Sequence, residues 1–469
     1  MKKLLSSVCI SLLLSAFTAS KNANAIVDSN TNSIPGANSK PKNIIMVVAD
    51  GMGPAYTTAY RYYNDNPDTP AIEKTVFDRH LVGMASTYPA RVSGYVTDSA
   101  AAATALATGV KSYNGAIGVD IDKTPVESVL FWAKKQGKKT GVVVTSQINH
   151  ATPAAYLTHN ESRNNYNAIA DSYLDGGINA DLYLGGGWQY FLRQERNLVN
   201  EFKTAGFHYL DNFQALQQLP VQKPVLGLFS DISLPWALDD TNKFRLSVMT
   251  EAATKQLENA QGYFLLVEAS QIDWAGHAND IAAAMAEMAD LAKTMQYLEQ
   301  YVKKNPDTLV VLTADHSTGG LTIAAQGKYE WQPKVIKNML HSPQKIAAIL
   351  STTQMTVATV SKLLNFTISA AEFKTLQAAK VHGAKLASNY QKLNKKAQQQ
   401  YPIVPSVKNN LYLAIKVIID QRTNSGWTTG GHTAVDVPVF ALGSNKEMFA
   451  GQIDNTDIAK QIFSLLDKK

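Results

Sequence analysis

One cysteine, Cys9, stands in a chain of 469 residues. That scarcity excludes a disulfide framework and any thiolate metal centre. Cys9 lies within an N-terminal apolar run that reads as a cleavable leader, so the mature chain is expected to hold no cysteine. Its stability must then come from its core and from any bound metal ions. Long hydrophobic runs are missing too. Beyond the leader no segment has 18 or more uninterrupted apolar residues, and no transmembrane helix is expected. Charge of one sign is scarce. The formal net charge is +6; Lys2, Lys3 and Lys21 leave with the leader and no acid does, which brings it to +3. So small an excess makes no case for a nucleic-acid partner.

Apolar residues make up 45% and charged residues 17%, the balance of a folded globular protein long enough for one large core or two ordinary domains. The start, Met1-Lys2-Lys3, a run over 4–17 and Ala23-Asn24-Ala25, reads as a signal peptide cleaved after Ala25, and hence a periplasmic or secreted protein with no membrane anchor. Residues 26–41, rich in Asn, Ser and Pro, read as a flexible lead-in. Buried-strand runs follow at 43–49 (NIIMVVA), 140–145 (TGVVVT), 262–269 (GYFLLVEA), 308–313 (TLVVLT) and 438–442 (PVFAL). Helical patterns at 126–136, 244–260 and 280–303 lie between them. This alternation predicts an α/β fold, a central largely parallel sheet flanked by helices. Residues 328–424 differ. Helical patterns carrying lysine and glutamine appear, as over 369–399, where Ser369 and Glu372 suggest a capping box. We read this stretch as a mostly helical insertion into a catalytic domain of residues 42–327 and 425–469. Lys385, Lys392, Lys395 and Lys396 read as a solvated face. The run 411–419 (LYLAIKVII) fits a buried helix or a strand.

The stretch 94–120 (GYVTDSAAAATALATGVKSYNGAIGVD) reads as a strand end, a tight turn and a helix opening at Ser99. Ser99 is expected as N-cap, where free N–H groups and the helix dipole favour an anion. An isolated Asp-Ser-Ala would more often be a plain helix cap. What changes the reading is a set of oxygen and imidazole donors at strand exits. Asp50 follows the first strand, His150 and Thr152 the second, and Glu268 closes the third, with Asp273 and His277 just beyond. Asp315 and His316 follow the fourth; His432 precedes the last strand instead of following it. Parallel strands bring such exits to one edge. Asp273 and His277, four apart, share a face of a helical turn. Asp with His suits Zn²⁺, and carboxylate with hydroxyl suits Mg²⁺. Two Zn²⁺ ions roughly 4 Å apart would clamp an in-line displacement at phosphorus, with Ser99 as nucleophile. Arg163 has the fork to hold two phosphate oxygens, although read alone it is an ordinary surface arginine.

The combination resembles the alkaline phosphatase family. Asp50-Gly51-Met52-Gly53, the 94–120 block, HATPAA from His150 with Arg163 beyond it, GYFLLVEASQID running on to His277, Thr313-Ala314-Asp315-His316 and TTGGHTAVDVP from Thr428 carry the resemblance. It implies hydrolysis of phosphate monoesters through a phosphoserine at Ser99, with Arg163 as phosphate clamp. It also implies two Zn²⁺ and one Mg²⁺ per chain. Asp273, His277 and His432 resemble the first zinc site, and Asp50, Asp315 and His316 the second. Asp50, Thr152 and Glu268 resemble the third site, usually Mg²⁺. A homodimer is implied as well.

His150 and Trp274 depart from the enterobacterial members, which carry Asp and Lys there. A histidine adds no fixed negative charge, so weaker Mg²⁺ binding is expected, and both residues are candidates for substrate contact. The disulfides of those members cannot form here. The 328–424 stretch exceeds the minimal family connection, and its content decides between neither a lid nor a dimer contact. A sulfatase would need a C/S-x-P-x-R pattern, whereas alanines follow Ser99. A phosphodiesterase would more typically carry threonine as nucleophile. A phosphate-binding protein without turnover fits poorly with intact catalytic positions. Because phosphate supplies the nameable contacts, broad monoester specificity and an alkaline optimum are expected.

Overall fold

The structure, a computed structural model, describes residues 40–401 and 403–468. The expected leader and nearly all of the lead-in lie outside the described residues. The strands, in chain order, are β1 (Asn43–Val48), β2 (Leu81–Ser86), β3 (Lys139–Gln147), β4 (Leu182–Gly186), β5 (His208–Leu210), β6 (Val225–Leu228), β7 (Tyr263–Glu268) and β8 (Thr308–Thr313). After them come β9 (Ser317–Thr318), β10 (Thr322–Ile323), β11 (Ser425–Gly426), β12 (His432–Thr433), β13 (Val437–Gly443) and β14 (Gly451–Asp454). Ten of these form one sheet in the order β14-β2-β13-β8-β1-β7-β3-β4-β6-β5. Every pairing in it is parallel except those of β13 with β2 and β8.

The β-branched runs become the centre of the sheet because both faces are covered. Every residue of β1, β7 and β8 is buried. The antiparallel course of β13 accounts for His432. Running against its neighbours, β13 begins where they end, so a residue just before it reaches the edge that the other donors reach from strand exits. The sheet also contains β2, β4, β5, β6 and β14. These are short, interrupted by glycine or exposed at the margins, and no long apolar run announces them.

Helices cover the sheet. Arg245–Leu257 and Ile281–Lys304 occupy the stretches with helical periodicity, trimmed where Phe244 and Asp280 stand as N-caps. The pattern over 126–136 becomes Val129–Lys135, because Ser128 accepts from Phe131 N–H and starts the helix there. The ambiguous run over 411–419 is helical, within Val407–Thr423. Ser369 and Glu372 form the expected capping box of Ala370–Gln391, which ends before 399; Asn394 caps a separate short helix, Lys395–Gln398. Lys385, Lys392, Lys395 and Lys396 are exposed. Where the chain enters and leaves this helical region, β10 pairs with β11, Thr322 opposite Gly426.

One buried cluster braces the helix Gln271–His277. Arg245, fully buried, donates to both Glu287 carboxylate oxygens at 2.8 Å, to Asp290 at 3.3 Å and to the Gln271 side-chain carbonyl. Gln271 in turn donates to Leu234 O at 2.7 Å. Removing the cation strands two buried carboxylates. Arg245→Met is expected to cost about 3–5 kcal/mol of stability, read as a lowered urea midpoint.

Candidate active site

Asp98, not Ser99, caps the helix Ser99–Thr108. Its extended backbone and its Oδ1, which accepts from Ala101 N–H at 3.0 Å, define the cap, and Ser99 is the first helical residue. Adjacent Asp and Ser are equally good caps, so composition alone cannot rank them. The consequence is chemical. Ser99 Oγ is released from capping and lies 3.1 Å from His316 Nε2, still at the positive end of a helix whose every residue is buried. Alanine and threonine at most positions let this helix sit inside the molecule, and Gly109, at φ 76°, ends it in the left-handed conformation.

The expected donors converge beside Ser99. Asp50 is fully buried after β1, in a turn whose Gly51 has φ 78° and passes so close to the Gln271–His277 helix that a Cβ would lie 2.6 Å from Asp273 Cα. Three groups each bring one donor atom per residue within 4.8 Å of one another: Asp273, His277 and His432; Asp50, Asp315 and His316; and Asp50, His150 and Glu268. Thr152 lies two residues after His150, and its side chain is fully buried. Asp315 is fixed by Gly51 N–H at 3.1 Å and His316 N–H at 3.0 Å, both on Oδ1.

His277, His316 and His432 are oriented alike. His277 Nδ1–H donates to Gly430 O at 2.7 Å and His432 Nδ1–H to Thr97 O at 2.9 Å. His316 Nδ1 lies 3.2 Å from Thr318 Oγ1, whose own proton goes to Asp273 Oδ1, so His316 is the donor. Each ring therefore turns Nε2 inward. His432 Nε2 is 3.1 Å from His277 Nε2, two imidazole nitrogens placed where one cation could take both. Both oxygens of Asp50, Glu268 Oε1 and Asp315 Oδ2 are likewise buried and make no hydrogen bond among the described residues. Such carboxylates are costly without cations, and the donor set of oxygen and imidazole fits divalent metal ions.

The electrostatics agree. Burial, then the Asp315, Asp273 and Glu268 carboxylates, push Asp50 well above the usual range, and burial drives Glu268 up to about 8. Burial and the Arg163 charge lower His150 to about 3. Burial works against Asp273, but its hydrogen bond with His277 and the nearby imidazoles hold it below the ordinary value. That same hydrogen bond raises His277 to about 9.

Arg163 is buried enough to be a site residue and not a surface arginine. Nη1 donates to Asp98 Oδ2 at 3.0 Å and Nη2 to His150 Nε2 at 3.3 Å. Asp98 thus serves two groups, capping the Ser99 helix and aiming the guanidinium. By accepting at Nε2, neutral His150 carries its proton on Nδ1, which has no hydrogen-bond partner among the described residues. The Trp274 ring meets His150 edge to face at 5.9 Å. Ser99, His150, Arg163, Asp273, Trp274, His277 and His432 all line one cleft of about 540 Å³. Gln147, Ile232 and the stacked pair Tyr166 and Tyr190, centroids 5.2 Å apart, complete it.

Reading the sequence missed Asp98, Thr318, Tyr166 and Tyr190. Asp98 and Thr318 stand beside singled-out residues, and their polar side chains were available signals. The tyrosines come from separate helices, Tyr166–Asp175 and Trp188–Phe191, and no spacing joins them.

Comparison with known proteins bears on this site. The sequence profile of the alkaline phosphatase family matches residues 41–468. Alkaline phosphatase 3 of Bacillus subtilis (strain 168) is 43% identical over 434 residues, covering 91% of this chain and 89% of its own length. The crystal structure of a cold-active alkaline phosphatase from a psychrophilic Shewanella sp. superposes with a TM-score of 0.83 at 50% identity, over 91% of this chain and 100% of that one. The alkaline phosphatase of the Antarctic bacterium TAB5, in a histidine-to-aspartate variant with Mg bound in its M3 site, aligns at 26% identity and a TM-score of 0.65, over 92% and 99% of the two chains.

Proposed function

This chain belongs to the alkaline phosphatase family, and from that premise we propose how its own residues divide the hydrolysis of phosphate monoesters. The observation that carries the assignment is Ser99 Oγ, 3.1 Å from His316 Nε2 among the converging donors and in one cleft with Arg163. Ser99 Oγ attacks phosphorus in line; the Oγ–P bond forms as the bond to the alcohol oxygen breaks. Water then attacks the phosphoserine, and phosphate leaves as the Oγ–P bond breaks. Arg163 holds two of the phosphoryl oxygens, with Asp98 keeping its fork in register. Family members are metal-dependent. We assign two Zn²⁺, one to Asp273, His277 and His432 and one to Asp50, Asp315 and His316, and one Mg²⁺ to Asp50, Thr152 and Glu268. Bound there, the ions would lower the cost of ionising Ser99, the leaving alcohol and the attacking water.

Arg163→Lys keeps the charge but loses the fork. We expect kcat/KM for an aryl phosphate to fall about 10- to 100-fold, with KM taking a large share, as steady-state kinetics would report. His150 supplies no negative charge to the third site and gives its Nε2 to Arg163. His150→Asp is therefore expected to tighten Mg²⁺ by about tenfold or more, measured by Mg²⁺ titration of the zinc-loaded enzyme.

Three further assignments belong to this reading. The chain is exported, with its leader removed after Ala25. Residues 42–327 and 425–469 form the catalytic domain and 328–424 an insertion. It works as a homodimer, a state supported by the exposed apolar residues Tyr88, Val92, Tyr95 and Val96 just before Ser99. The activity is tested by offering zinc-loaded protein an aryl phosphate monoester and the matching diester. Strong turnover of the monoester supports the reading; preference for the diester contradicts it.

A further inference from the structure

A second cleft of about 540 Å³ opens beside the first, and its walls are aromatic: Trp188, Phe229, Trp236 and Trp274. Trp274 lines both clefts. The turn over 230–233 divides them, with Ile232 lining the Ser99 cleft while Ser230, Asp231 and Ser233 line the second. That turn is fixed from below. Gly187 and Trp188 N–H donate to Ser230 O at 2.9 and 3.1 Å, and Gln189 N–H to Asp231 O at 3.1 Å.

The indole rings are preset. Trp188 Nε1–H donates to Leu228 O at 2.9 Å, and Trp236 Nε1–H to the Gln344 side-chain carbonyl at 2.6 Å. Gln344 stands near the start of the helix Pro343–Thr352, so the 328–424 region contributes a wall to this cleft. Ser230 Oγ itself is buried, turned toward Gly186, so the side-chain amide of Gln344 is the neutral polar group among the rings. The lining has one charged residue, Asp231, and no cation. It therefore disfavours a second phosphate and suits a neutral planar group.

We propose that the second cleft binds the base of a nucleoside monophosphate whose phosphate occupies the Ser99 cleft. The inference rests on the Ser99 cleft being the phosphate site. A ring esterified directly to phosphate remains within the first cleft. A base carried on a sugar stands further from the phosphate and can pass Trp274 to reach the aromatic lining of Trp188 and Trp236, with a polar edge toward Gln344. The enzyme would then select for its alcohol, narrowing the broad specificity expected from phosphate contacts alone.

The test compares kcat/KM for adenosine 5′-monophosphate and ribose 5-phosphate, in which a hydroxyl at C1 replaces the base. Wild-type enzyme is expected to favour the nucleotide by about tenfold or more, the scale of one aromatic stack. Trp236→Ala and Ser233→Tyr, one opening the cleft and the other filling it, should each bring the nucleotide down to the sugar phosphate. Turnover of ribose 5-phosphate and inhibition by inorganic phosphate should stay within about twofold. Trp236→Phe, which keeps a flat ring, should retain most of the preference. Equal wild-type use of the two esters, or a parallel fall of both in the two disruptive variants, would overturn the base site while leaving the Ser99 assignment intact. No turnover of either ester by wild-type enzyme would overturn both.

Discussion

Ser99→Ala is expected to lower kcat/KM for a phosphate monoester by about 10³-fold or more while leaving inorganic phosphate bound with near-normal affinity. The split follows from geometry. Among the described residues Ser99 Oγ is the one side-chain hydroxyl hydrogen-bonded to His316 Nε2, and Ala100 to Ala103, which follow it in the first helical turn, offer no replacement nucleophile. Arg163 is held by Asp98 and His150, not by Ser99, so the phosphate clamp survives the substitution. Stopped turnover with retained phosphate inhibition is the signature of a lost nucleophile. Loss of both would point to a collapsed cleft, and retention of both to a different nucleophile.

Chelation of the metal ions should abolish turnover and also make folding stability fall with rising pH between about 6.5 and 8. Asp50 and Glu268 are raised in the absence of cations, Glu268 to about 8, so the folded state holds protons that the unfolded chain, with carboxyls near 4, has released. A folded state that binds more protons loses stability as pH rises. His277, raised to about 9, has the same sign above its ordinary value of about 6.5. His150 and His432, lowered to about 3 and about 4, act in the opposite direction only below about 6.5, where unfolded imidazole is still protonated. The window from 6.5 to 8 is therefore one in which these shifts agree. Thermal melts of the chelated protein across it should move downward, and reloading with Zn²⁺ and Mg²⁺ should restore both stability and activity. A pH-independent melt of the chelated protein would contradict the assigned burial of these carboxylates.

Much of this site was legible because its residues attach to the strongest local signals. The runs in β1, β7 and β8 are β-branched and buried on both faces, so Asp50, Glu268 and Asp315 could be placed at their ends before any contact was known. His432 fitted the pattern only once β13 proved antiparallel, a property of sheet order that no local stretch encodes. The cap of the Ser99 helix turned on a choice between neighbouring residues of equal propensity, and tertiary contact with His316 and Arg163 decided it. Strands β5 and β14 are too short to carry a period, and the Tyr166–Tyr190 stack and the Trp-lined cleft depend on segments brought together only by folding.

The central claim is that phosphoryl transfer passes through Ser99. The most direct measurement is acid quenching of zinc-loaded enzyme during turnover of a phosphate monoester, followed by peptide mass spectrometry. One phosphoryl group on the peptide containing Ser99, absent before substrate is added and absent in Ser99→Ala, is the predicted result. Full turnover with no phosphoryl group on that peptide at any quench time or pH, or a phosphoryl group on another residue, would contradict the account.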